Sequence, residues 1–149
     1  MGELLLFLHI VAVGAWLGAN VTQFVVTPAM QKVGGNSAAA WMRQTVRLGT
    51  AVYTPSAVVI LITGFWMVLR DSLYEFEQTF VVIGILMVIL GSVFGMRIFG
   101  PGRREAAALH EAGETKAADK THQRLGMFGA IDTVLLLFTI WAMVARLGL

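Results

Sequence analysis

Residues 4–27 read LLLFLHIVAVGAWLGANVTQFVVT. The run is apolar and exceeds the roughly 20 residues that a helix needs to cross a bilayer. It is not uniformly apolar, however. Trp16, Asn20, Gln23 and Thr27 follow His9 at offsets of 7, 11, 14 and 18. At ~100° per residue those offsets return to nearly one face. One helix face therefore carries a polar and aromatic stripe that lipid would penalise, so it should turn toward a bundle interior.

The rest of the chain agrees with a membrane class. Of 149 residues, 57% are apolar and 13% charged, against about 25% charged in a soluble domain. The length suits one domain, 1–149. There is no cysteine, which excludes disulfides, iron–sulfur clusters and thiolate metal sites. The isoelectric point near 9.4 accompanies a net charge of only +2, and the basic residues lie between apolar runs, so no nucleic-acid partner is expected. The N-terminus lacks the basic start and short apolar core of a cleaved signal.

Three further spans follow, at about 48–70, 79–99 and 125–146. In lipid each must be an α-helix, because an open strand edge would leave backbone groups unsatisfied. Lys32, Arg43 and Arg47 lie between spans one and two, and Arg97, Arg103, Arg104, Lys116, Lys120 and Arg124 between spans three and four, nine basic residues against Arg70 and Arg146 on the other side. This bias puts both termini outside and those two loops in the cytoplasm. The expected fold is an all-α bundle of four transmembrane helices, N-out and C-out, in the bilayer of a bacterial inner membrane with periplasmic termini.

In the first loop, Asn36 or Ser37 should cap a short helix, with Trp41 and Met42 at headgroup level. Gly100-Pro101-Gly102 should break span three, and the alanine-rich segment after it should form a solvated helix extending span four, with His110 and His122 in water. Pro55 should kink span two or open a turn. Gly14 with Gly18, and Gly91 with Gly95, form GxxxG pairs that permit close approach of helices or of a flat cofactor. No linker, low-complexity tract or clear internal repeat stands out.

His9 is the leading site candidate. A histidine about two turns inside a span can ligate haem iron or another metal, relay a proton, or bond a neighbouring helix. Met67 and Met143, at similar depth, are candidate weak metal ligands or gap-fillers. Arg70 and Arg146 share that side and suit haem propionates or interfacial snorkelling. Asp132 is the only acidic residue well inside a span, so it needs a partner. Asn20, Gln23, Thr54 and Arg97 are the candidates, either as a structural lock or as a proton or ion path with His9. Nucleotide-binding loops, HExxH and nucleophile elbows are absent from the sequence.

The run Phe7-Leu8-His9-Ile10-Val11-Ala12-Val13-Gly14-Ala15-Trp16-Leu17-Gly18 resembles the first helix of a superfamily of small bacterial membrane proteins. That superfamily includes HemJ-type protoporphyrinogen oxidases, the CopD copper-resistance domain and uncharacterised four-helix families. Ile62-Thr63-Gly64-Phe65-Trp66-Met67-Val68-Leu69 is similar to its second helix. The resemblance implies haem b on His9, with Trp16 as a wall, Gly14 and Gly18 making room, and a redox or haem-handling role. The chain departs from the HemJ-like pattern at Gly95-Met96-Arg97, where those proteins carry a histidine. Arg124 matches the arginine that opens their fourth helix, but Phe128-Gly129-Ala130-Ile131 does not continue their motif. Copper is less expected, since the extra histidines and methionine clusters of a copper path are missing. The uncharacterised branch is the nearest match. A second expectation is a non-catalytic subunit of a homo-oligomer or larger membrane complex.

Overall fold

The computed structural model describes residues 2–70 and 75–148, and every regular element among them is helical. In chain order they are α1 (Gly2–Val33), α2 (Gly35–Leu48), α3 (Thr54–Arg70), α4 (Thr79–Phe94), α5 (Gly100–Glu111) and α6 (Thr115–Val144). A π-helical turn, Gly49–Tyr53, fuses α2 to α3, and a second, Gly95–Phe99, fuses α4 to α5. The described residues thus form four continuous rods of 30 to 36 residues, each long and apolar enough to cross a membrane. At 1.5 Å per residue the longest extends for about 54 Å. That exceeds the ~30 Å hydrocarbon core, so the rods project beyond it. Their outer faces expose Leu6, Phe7, Ile10, Val25, Ile62, Leu86 and Val134, the surface a bilayer requires.

Both π turns answer a proline. Pro55 and Pro101 lack an N–H, and their rings crowd the carbonyl four residues back. Widening the preceding turn absorbs this. The N–H groups of Thr54 and Gly100 reach back five residues, to the carbonyls of Gly49 and Gly95. The two stretches share one spacing, Gly49 to Tyr53 to Pro55 and Gly95 to Phe99 to Pro101. This is a short internal repeat that inspection for longer similarity passes over. The expected break at Gly100-Pro101-Gly102 therefore does not occur. Pro101 instead sits in the first turn of α5, directly after the widened turn that accommodates its missing N–H.

The π turns are also where helices change partners. At the loop end α2 packs on α5, through Ala38, Ala39, Met42 and Thr45 against Ala106 and Ala107. In the other layer α3 packs on α1 and α4 on α6, while α3 and α4 touch each other only slightly. Alanine faces let α2 and α5 approach closely, and two expectations are corrected, the solvation of His110 and His122 and the cap of α2. His110 and His122 are not solvated: both are buried, and their Nε2 atoms lie 2.9 Å apart across the α5–α6 hairpin. Met42 is packed under α5, and Trp41 donates to Thr27 Oγ1 at 3.0 Å. Neither Asn36 nor Ser37 caps α2, because the chain reverses through Gly34 and Gly35 at φ of +70° and +52°. Glycine reaches that left-handed region without the usual Cβ penalty.

The polar stripe of α1 faces inward as expected, with His9, Trp16 and Asn20 buried. Trp16 lies across the core against Gly91 of α4, where a Cβ would come within 2.5 Å of Trp16 Cζ2 and 2.8 Å of Cη2. By contrast Gly14, Gly18 and Gly95 have nothing within 4 Å of that position. Only one glycine of the two GxxxG pairs, Gly91, therefore supports close approach. Replacing Gly91 by Ala must displace a rigid buried ring, and overpacking of this kind costs about 1–3 kcal/mol. Thermal unfolding in detergent should show a lowered midpoint for Gly91→Ala and an unchanged one for Gly14→Ala.

Candidate functional site

Five side chains form one hydrogen-bonded chain through the bundle. Arg103 of α5 is buried, its guanidinium 5.0 Å from the Phe99 ring centroid. Its Nη1 donates to the Thr45 carbonyl at 3.2 Å, and its Nη2 donates to Gln23 Oε1 at 2.6 Å. Gln23 Nε2 donates to the Tyr53 hydroxyl at 2.6 Å, which donates to Asn20 Oδ1 at 2.6 Å. Asn20 Nδ2 then donates to Asp132 Oδ2 and to Thr133 Oγ1, both at 2.9 Å. Trp16 Nε1 adds a longer bond to Asp132 Oδ2 at 3.4 Å. Every link donates in the same sense, from the guanidinium toward the carboxylate. Aligned dipoles polarise one another in a low-dielectric interior, so the two charges are joined through neutral groups without touching.

The first π turn makes this possible. Tyr53 is its last residue, and the extra residue in that turn rotates the ring to the α1 side, edge-on to Trp16 at 5.7 Å between centroids. Of the partners expected for Asp132, Asn20 bonds it directly and Gln23 joins it through Tyr53 and Asn20. Thr54 donates instead to the Gly49 carbonyl at 2.8 Å, and Arg97 is exposed. Tyr53 and Arg103 were not anticipated. Arg103 follows Gly-Pro-Gly and reads as a loop cation until the helix is seen to continue through Pro101.

A cavity of about 770 Å³ opens beside this chain, where α3 and α4 diverge. Its walls include Phe24, Ala57, Leu61 and Phe99, with residues of both π turns. Trp16, Asn20, Gln23, Tyr53 and Asp132 line it, as do Arg103, Arg104 and His122. Asp132 is 3% exposed. Both bonds it receives fall on Oδ2, and no hydrogen bond to Oδ1 occurs among the described residues. Gly49, Gly95 and Gly126 also line the cavity, with open space where a Cβ would stand.

His9 stands apart from both chain and cavity. Its Nδ1 lies 2.9 Å from Thr63 Oγ1. The Thr63 hydroxyl has one proton and donates it to the Val59 carbonyl at 2.6 Å, so it accepts from His9 Nδ1–H. That sets the tautomer and leaves the lone pair on Nε2, the state in which a histidine binds metal. The side chain therefore suits an axial ligand of haem. The groups expected around it are placed differently. Gly14 and Gly18 lie exposed on the opposite side of α1, whereas the glycine beside the imidazole is Gly64, whose Cβ position is 3.4 Å from His9 Cε1. The Met143 methyl packs on Gly84, Met67 is half-buried, and Arg70 and Arg146 are exposed. No group of three or more His, Asp or Glu side chains gathers to hold a metal among the described residues. The large cavity does not include His9 in its walls.

The side-chain chain is expected to act as a unit. Tyr53→Phe strands Asn20 Oδ1 and a Gln23 N–H, which costs about 1–3 kcal/mol for buried groups. Once Arg103→Met has already broken the chain, the same change should cost less, by at least ~0.5 kcal/mol. A double-mutant cycle on unfolding free energy in detergent measures this, and strict additivity would show independent contacts.

A family model described as "Predicted integral membrane protein (DUF2269)" matches residues 3–147, so the chain belongs to that family. No curated protein and no solved structure matches the chain.

Proposed function

We propose that this member of the DUF2269 family of integral membrane proteins binds a lipid-soluble small molecule in the cavity between α3 and α4. The observation that carries the reading is the cavity itself: about 770 Å³, within the range of roughly 300–1,000 Å³ typical of ligand sites, with mostly apolar walls and a few convergent polar groups. Phe24, Ala57 and Leu61 suit an apolar body, and Asn20 and Asp132 suit its polar end. The flanking π turns, a frequent mark of functional sites, let the walls diverge while α2 and α5 stay packed. The basic bias of the loops supports a bacterial inner-membrane topology with this loop end cytoplasmic and the termini periplasmic.

The amides of Asn20 and Gln23 argue against a proton path along the chain, since an amide passes a proton on only through its unfavourable imidic-acid form. His9 donates to Thr63 and forms no bond to Asn20 or Asp132 among the described contacts. The polar chain is therefore read as a lock that shapes the ligand site. Gly126→Phe places a ring where the Cβ position is open and should occlude the cavity. Organic extraction and mass spectrometry of purified protein should recover a bound apolar molecule from wild type and from Gly14→Phe, but not from Gly126→Phe. Equal recovery from all three would contradict the cavity reading.

A second reading, haem b on His9 with a redox or haem-handling role, is favoured by the resemblance of residues 7–18 and by the Thr63 bond that leaves Nε2 free. Here Thr63 orients the imidazole. Protein purified from haem-supplemented cells should then show a Soret band that His9→Ala loses. No band in the wild-type protein would remove this reading.

A further inference from the structure

The ligand cavity contains a carboxylate with one oxygen uncommitted. Asp132 is almost fully buried, both of its N–H donors bond Oδ2, and Asp132 lines the cavity. The nearest cation on the chain of hydrogen bonds, Arg103, reaches Tyr53 and acts on Asp132 only through neutral side chains, without touching it. Apart from the Tyr53 hydroxyl, the remaining cationic or titratable groups that line the cavity, Arg104 and His122, belong to its loop end. His122 precedes Asp132 by ten residues of continuous helix, or about 15 Å along α6. An anion held this deep in an apolar bundle is stabilised by a directly placed positive charge, and no side chain among the described residues supplies one.

The surroundings of Asp132 also suit a cation. Trp16 donates to it, and Tyr53 meets Trp16 edge-on at 5.7 Å between centroids. Both rings line the cavity, as does Phe24. Aromatic faces attract organic cations, most strongly where water is excluded. A carboxylate oxygen, two or three rings and apolar walls together form the chemistry that recognises a lipophilic amine or a quaternary cation.

The geometry points to the cavity as a site for a monovalent lipophilic organic cation, with Asp132 Oδ1 as its counter-ion and Trp16 and Tyr53 as the aromatic walls. This inference rests on the cavity reading above and names the ligand class for it. Asp132 and the two rings act as binding residues, and no chemical step is implied. Asn20 acts through Asp132: by holding Oδ2 it leaves Oδ1 directed to the ligand.

The test compares two ions of one shape and opposite charge, tetraphenylphosphonium and tetraphenylborate, by equilibrium dialysis against purified protein in neutral detergent. Wild type should bind the phosphonium at least tenfold more tightly than the borate. Asp132→Asn should weaken phosphonium binding at least tenfold, Asp132→Glu should retain most of it, and Gly126→Phe should abolish it. Equal affinity of wild type for the two ions overturns the inference without any variant, so a misfolded Asp132→Asn protein does not leave the matter open. Undiminished phosphonium binding by folded Asp132→Asn overturns it as well. If the cation fails while an apolar molecule is still extracted from wild type and not from Gly126→Phe, the charge assignment falls and the cavity reading stands. If extraction does not depend on Gly126 either, both fall.

Discussion

The bundle is built around a charge problem. A carboxylate and a guanidinium both lie inside a protein whose outer surface is hydrocarbon, and neither touches the other. Water would solvate them at little cost; here the chain supplies the bonds to Asp132 Oδ2 and to the Arg103 guanidinium. Asn20, Gln23 and Tyr53 meet that demand in series, each accepting on one side and donating on the other. The series ties α1, the α2–α3 junction, α5 and α6 to one another. Apolar packing alone is a weak guide to register between membrane helices, because lipid tails are as apolar as leucine. Directional bonds between residues as distant in sequence as Gln23 and Arg103, or Asn20 and Asp132, define which faces meet.

Two prolines shape the space around that chain. Pro55 and Pro101 each follow a π turn that starts at a glycine and ends at an aromatic residue. At both turns the rods exchange partners: α2 and α5 stay together at one end, while α3 leaves with α1 and α4 with α6. The cavity is the consequence of that divergence. The same distortion brings Tyr53 into the polar chain and places Phe99 beneath the Arg103 guanidinium. Fold and candidate site thus share one cause, the accommodation of two missing N–H groups within continuous helices.

Hydrophobic length made the four spans legible in the sequence, and the period of His9, Trp16 and Asn20 made the inward face of α1 legible too. Asp132 with Asn20 was legible because an acid inside a span demands a polar partner at its own depth. Other features depend on long-range geometry that local signals misstate. Gly100-Pro101-Gly102 carries every local mark of a break, yet the π turn keeps the helix intact and so draws Arg103 inside. His110 and His122 sit in an alanine-rich, charged segment that reads as solvated, and they are buried against each other where α5 folds back on α6. Gly14 and Gly18 fit a packing motif by spacing alone, and their face of α1 turns out to be the lipid side.

The central claim is that a chain of donors reaching back to Arg103 ends on Asp132 Oδ2. Infrared spectroscopy of the protein carrying isotope-labelled aspartate, with the spectrum of Asp132→Asn subtracted, reports the state of this one group. The account predicts that the Asp132 carboxyl band shifts when Tyr53→Phe interrupts the chain. An Asp132 band that Tyr53→Phe leaves unmoved would contradict it.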